Sequence, residues 1–448
     1  MIINEKVEKR FNMRKYLLLF VLFLHITISA QQLPQIKTIV YDSTSVKGYL
    51  MFIADYNLVL MDGKGNIIYY YQAKKLLDFT LEPDRRLFLV TKDNIYQMDS
   101  MLNIVDTYGC KNGIEHDSHD RKFLPDGHIL FLGNEKIKVD LNKYPKWKDK
   151  CPKDTTGFLA TVLQEQDEQG NVVFEWHAKD HYDLEDADYF YDNDFCPPQW
   201  AHSNSIELDE DGNILLSLRN FNEITKINRK DGSIMWRWGG KHNEFKFVNC
   251  PMPFYGQHNI RRLPNGHFTL FDNGNNIKPH ASIAEEFELD EINKIAALKW
   301  SYTFNDQMCS KARGNVQRLP DGNTLVNFGL SSSDNLSFVI VNPEGKKLFQ
   351  VNYAPANTYK VMNYPFSPFK LNRPIITCFD SAGLKYLDAG AGYTSYKWNT
   401  GDSTRVIKVK NAGSYSVFVP YNGKKGYISS EKYVLSDMKL PCNEGIKH

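Results

Sequence analysis

The sequence predicts an all-β chain: a six-bladed β-propeller followed by a small Ig-like or PKD-like β-sandwich. Three observations lead there. A hairpin signal recurs along the chain, in which an apolar strand, a Pro/Asp/Asn-Gly turn and a second apolar strand follow one another. A second turn of a different kind follows each copy, and two hairpins make a four-stranded sheet, one propeller blade. Beyond Pro374 the texture changes to short strands around Trp398 and a Gly413-Ser414-Tyr415 corner, which reads as a β-sandwich module over residues 374–440.

From the N-terminus, the first element is a leader over residues 1–30. The apolar run Tyr16 to Ile28 follows Arg14 and Lys15 and ends on Ser29-Ala30 before a polar stretch, the pattern of a cleaved secretory signal. The run is shorter than the roughly 20 residues of a membrane-spanning helix, so a membrane anchor is the weaker alternative. The polar residues before Met13 make Met13 the expected natural start. The mature chain is then secreted or periplasmic, and not an integral membrane protein.

Residues 31–365 form the propeller. The strong hairpin copies are Leu124-Pro125-Asp126-Gly127, Leu208 to Gly212, Leu263-Pro264-Asn265-Gly266 and Leu319-Pro320-Asp321-Gly322. Their companion turns lie at Asp167 to Gly170, Asn228 to Gly232, Asp290 to Asn293 and Asn342 to Gly345. Two weaker copies lie upstream. Val46 to Leu50 goes with the turn at Asp62 to Gly65, and Glu82 to Leu87 with that at Asp99 to Leu102. Long loops at Tyr144 to Phe158 and Asp180 to Trp200 make the spacing uneven.

Composition narrows the partners. A net charge of +1 with no basic block argues against nucleic acid. Seven cysteines in an exported chain leave at least one unpaired, and the absence of a Cys-x-x-Cys pair removes support for a thiolate zinc site. Cys378 and Cys442 bracket the C-terminal module, and Cys196 and Cys250 each precede a histidine in a Pro-containing loop. Both are expected pairs.

The turns also locate the polar side chains. Asn204 lies seven positions before Asp211, and Arg219 seven after Gly212. A tight hairpin brings such positions back to one end of a blade, and His202 shares that end. The matching positions elsewhere are His119, His258 and, one step offset, Gly314-Asn315. Three histidines and an arginine should therefore converge at one mouth of the channel. A polar rim residue satisfying a loop backbone accounts for any one of them taken alone, but less well for a matched set. His116-Asp117-Ser118-His119-Asp120 raises a metal alternative with His202 and His258, against which Arg219 would repel a dication. No metal or other cofactor is expected.

These residues resemble the bacterial arylsulfotransferases, which transfer sulfate without a nucleotide donor. The resemblance rests on Trp200 to Ile206, Ser217-Leu218-Arg219-Asn220, Ile227 to Gly240, Gln257 to Gly266 and Leu270-Phe271-Asp272-Asn273-Gly274. It implies a ping-pong transfer of a sulfuryl group from an aryl sulfate ester to a phenolic acceptor, with His258 transiently sulfated. It further implies that His202, Asn204 and Arg219 bind the anion and manage protons, and that His119 completes the site. Asn315 stands where some members place a hydroxyl residue. Which of His202 and His119 is the acid–base group stays open at this point, as does the oligomeric state. A non-catalytic binding propeller and a metal-dependent propeller lyase or hydrolase are the alternatives.

Overall fold

The computed structural model describes residues 36–442 apart from 43, 45, 55–56, 73–75, 145–156, 189–198, 276–280, 307, 332–335, 354–356 and 423–425. The expected leader, Cys151 and Cys196 lie outside the described residues. The chain is all-β. Among the described residues helix is limited to four single 3-10 turns, and no helix is long and apolar enough to cross a membrane.

Six sheets each contain a run of four antiparallel strands. In chain order the second runs Leu76–Leu81, Leu87–Thr91, Ile95–Met98, Ile104–Tyr108. The third runs Glu115–Phe123, Ile129–Lys138, Gly157–Gln166, Val172–His177, and the fourth Ser203–Leu208, Ile214–Leu218, Glu223–Ile227, Ile234–Gly239. The fifth runs His258–Arg262, Phe268–Asp272, Ile283–Asp290, Ile295–Thr303, and the sixth Asn315–Arg318, Thr324–Asn327, Leu336–Val341, Lys347–Tyr353. The first sheet is assembled from both ends of this region: Thr358–Tyr364 pairs with Tyr49–Ala54, which leads to Asn57–Asp62 and Ile67–Gln72. The N-terminal strand Ile36–Val40 adds to Lys347–Tyr353 on the sixth.

Turn chemistry explains the strand ends. In the Asp/Asn-Gly turns the glycine takes φ near +80° (Gly127, Gly212, Gly266, Gly322), a region a Cβ disfavours. The preceding Asp or Asn side chain accepts the N–H two residues on, as Asp126 does from His128 and Asn265 from His267. In the weaker copy of the second sheet Arg85 stands in that left-handed position, at φ +69°, which is why its signal is faint. The companion turns are clamped differently. Asp62, Asp99 and Asp167 each accept the backbone N–H and side-chain amide of an asparagine four residues on, at 2.7–2.9 Å.

The first strand of each sheet touches that of the next. Glu115–Phe123 contacts Ser203–Leu208, which contacts His258–Arg262, then Asn315–Arg318, Thr358–Tyr364 and Leu76–Leu81, which returns to Glu115–Phe123. Side-chain amides staple these strands: Asn204 Nδ2 donates to the Gln257 carbonyl (2.7 Å), and Asn315 both donates to the Val361 carbonyl (2.8 Å) and accepts its N–H (2.9 Å). Both amides are thus committed to the neighbouring backbone.

The segment beyond Pro374 is joined to the first sheet. Tyr427–Ser429 pairs with Ile67–Gln72, and Val417–Pro420 and Lys397–Trp398 extend the same sheet. Thr377–Ser381, Leu384–Asp388 and Val406–Val409 make a separate three-stranded sheet. One buried cluster holds Leu58, Leu60 and Tyr69 together with Leu387, Trp398, Val417 and Ile428. Cys378 and Cys442 form a disulfide. The expected pairing of Cys250 with Cys196 is corrected: Cys250 is a free thiol whose Sγ lies 2.8 Å from the Met252 carbonyl.

Candidate active site

His258 opens the first strand of the fifth sheet and is buried. Its tautomer follows from its neighbour. Asn273 donates its amide N–H groups to the carbonyls of Ser310 and Arg313, both at 3.0 Å, so its Oδ1 must face the ring. His258 Nδ1 therefore donates to Asn273 Oδ1 (2.6 Å) and to the Gly256 carbonyl (3.0 Å). The lone pair is left on Nε2, which accepts the Arg313 backbone N–H at 3.1 Å. Burial holds the imidazole well below the usual histidine range, and Arg219, His202 and His119 push the same way against the Asn273 hydrogen bond. His258 is a neutral base with a defined lone pair.

Arg219 begins a 3-10 turn after the second strand of the fourth sheet, and its backbone N–H donates to the His202 carbonyl at 2.8 Å. Its guanidinium is buried and donates to Asn275 Oδ1 (2.8 Å) and the Lys311 carbonyl (3.0 Å). His202 directly precedes Ser203–Leu208, and its ring meets that of His119 edge-on, centroids 4.7 Å apart. Burial, then His119 and Arg219, lower His202 well below the usual range against the pull of Asp117.

His119 differs. Its Nδ1 lies 2.5 Å from Asp117 Oδ1, and Asn134 Nδ2 holds the other carboxylate oxygen at 2.7 Å. Burial pushes Asp117 up, but the charge and hydrogen bonds of His119, with His202 adding, outweigh it and hold the carboxyl well below the usual range. The His119 carbonyl accepts from Tyr359 Oη (2.9 Å) and Lys360 Nζ (3.0 Å).

The four predicted side chains His258, His202, His119 and Arg219 therefore lie within electrostatic reach of one another. Asn204 and Asn315 hold the backbone of the neighbouring first strand. Sequence reasoning missed roles for Asn273, Arg313, Tyr359 and Lys360. Asp272-Asn273-Gly274 was the one available signal among them.

The metal alternative gains little. Asp117 is spent on His119 and Asn134, and Asp120 on Arg261 (2.9 Å) and Lys360 (3.2 Å). Asp126, His128 and Glu165 lie close enough to share an ion, but Arg229 already bridges Asp126 (2.7 Å) and Glu165 (2.6 Å).

Comparison with known proteins adds a family. The model of the arylsulfotransferase (ASST) family matches residues 35–364. No curated protein sequence matches the chain. Similar solved structures include a protein of unknown function from Bacteroides caccae, with 12% identity over 70% of this chain and 98% of that one, TM-score 0.45. They also include a catalytically inactive virginiamycin B lyase from Staphylococcus aureus with quinupristin (12%, 79% and 96%, TM-score 0.37) and the periplasmic gluconolactonase of Pseudomonas aeruginosa (10%, 87% and 96%, TM-score 0.39).

Proposed function

Since the chain belongs to the arylsulfotransferase family, we propose that it carries a sulfuryl group from an aryl sulfate to a phenol through a sulfated His258, on a six-bladed β-propeller. Family membership supports sulfuryl transfer in general. The ring of contacts among six first strands supports the propeller. The leader-like residues 1–30 support secretion or a periplasmic place, and residues 374–440 are read as a small β-sandwich built onto the first sheet, which Tyr427–Ser429 extends.

The observation that carries the mechanism is the Asn273–His258 pair, because it leaves the Nε2 lone pair as the nucleophile. Arg219 holds the sulfuryl oxygens with a planar fork. Nε2 attacks sulfur, the sulfur–oxygen bond to the ring breaks, and the aryl oxygen leaves with the electron pair. The Arg313 N–H, released from Nε2, is placed to bond a sulfuryl oxygen instead. His119 is the acid–base group, since Asp117 orients its ring through a hydrogen bond at Nδ1, whereas burial keeps His202 neutral. It protonates the departing aryl oxygen, then takes the proton of the incoming phenol as that oxygen attacks sulfur and His258 leaves. His202, kept neutral, donates a hydrogen bond to the sulfuryl group.

Turnover of para-nitrophenyl sulfate tests this. Release of nitrophenol beyond one equivalent per protein should require phenol, initial-rate lines should be parallel, and Asn273→Ala should lower kcat on the order of 10²-fold by freeing the tautomer. Near-normal transfer by His258→Ala would contradict the reading.

A further inference from the structure

The first strands run from the histidines to a cavity at their other ends. His258 starts its strand, whereas Arg261 and Leu263, at and just beyond the strand's end, line a cavity of about 490 Å³. A layer of ion pairs separates the two: Asp120 binds Arg261 and Lys360, and Lys360 also reaches the His119 carbonyl. The cavity meets the surface beside the exposed Pro83 and Pro365.

Its walls are of two kinds. Leu263, Val316, Met362 and Phe366 give an apolar side. Five cations face the same space, and four already have carboxylates: Arg261 and Lys360 as above, Lys122 with Glu207 (2.7 Å) and Arg318 with Glu286 (2.5 Å). The fifth is Arg121. It is 5% exposed, donates from one amino group to Thr80 Oγ1, and has its Nε buried without a hydrogen-bond partner. No carboxylate pairs with it among the described residues. The nearby Glu82 carboxyl is pushed up by burial, against the pull of Arg121 and Lys122. A guanidinium withdrawn from water and left one donor short is a strong seat for an oxyanion, and the wall beside it suits a flat ring.

We propose that this cavity is a second binding site, for a small aromatic oxyanion whose head group pairs with Arg121 and whose ring lies on the Val316–Met362 wall. The proposal does not depend on sulfuryl transfer at His258. The probe is para-bromobenzenesulfonate, whose carbon–sulfur bond leaves nothing to transfer; inorganic sulfate and benzyl alcohol probe the head and the ring alone. In crystals of the Arg219→Ala protein, bromine anomalous density should appear in this cavity. Calorimetry should find binding weakened roughly tenfold or more by Arg121→Met, the loss of one charge-assisted pair. Leu263→Trp, which fills the cavity from its half-buried rim and spares the buried arginine, should weaken it as well, with an unchanged melting midpoint. No bromine density in this cavity in those crystals, or binding that both variants leave intact, would overturn the proposal while leaving the sulfuryl-transfer reading standing.

Discussion

At the scale of single residues, charge and tautomer decide what His258 can do. A neutral imidazole attacks sulfur and a protonated one does not. The folded-state shift is downward, with burial its largest cause and Arg219 next, so His258 stays neutral as pH falls below the ordinary histidine range near 6.5. The acid limb of the first half-reaction should therefore lie below that range. Replacing Arg219 by Gln removes a positive neighbour, raises the His258 pKa and should move the limb to higher pH, besides slowing transfer. A burst-phase pH profile reads both, and a limb that stays in place would remove Arg219 from the electrostatics of His258. The four charged or basic residues were legible because fixed offsets from a turn become fixed places on a rim. Asn273 was visible only as part of a motif, since the direction of its amide depends on the carbonyls of Ser310 and Arg313, distant in sequence. Arg313 acts through its backbone N–H, which no residue type announces.

At the scale of the element, the hairpin turns were the most legible features, because Gly at φ near +80° and an Asp or Asn cap leave a clear signature. The first sheet was the least legible. Its inner strand Thr358–Tyr364 comes from the far end of the region, so no hairpin turn joins it to Tyr49–Ala54, and Tyr359 and Lys360 gave no signal. The amide staples were not foreseen for the same reason: a buried Asn on a first strand reads equally as a ligand contact or as a clip on the next strand. Asn315 exchanges two hydrogen bonds with Val361 and so holds the sixth sheet to the first. Asn315→Ala leaves both backbone groups buried and unpaired, and should cost about 1–3 kcal/mol. Urea unfolding measures it, and an unchanged midpoint would mean that the join between these two sheets does not rely on this clip.

At the scale of the whole molecule, one cluster joins the first sheet to the C-terminal strands, with Tyr70 stacked on Tyr427 at 5.3 Å. The change of texture after Pro374 was readable, whereas this continuity was not, because strand pairing across more than 300 residues leaves no local trace. Ending the chain at residue 373 should strip cover from Tyr69, Tyr70 and their neighbours. The remaining protein should lose roughly 3–6 kcal/mol, the exposure of two large side chains, with a lower melting midpoint. A truncated chain that melts as the full one does would make the C-terminal strands an independent module.

The central claim is that His258 carries the sulfuryl group, and trapping the carrier tests it most directly. Protein mixed with para-nitrophenyl sulfate and no phenol, then digested and mapped by mass spectrometry under alkaline conditions, should yield one sulfated peptide, that containing His258. The label should vanish on adding phenol. A label on another peptide, or none despite acceptor-dependent turnover, would contradict the account.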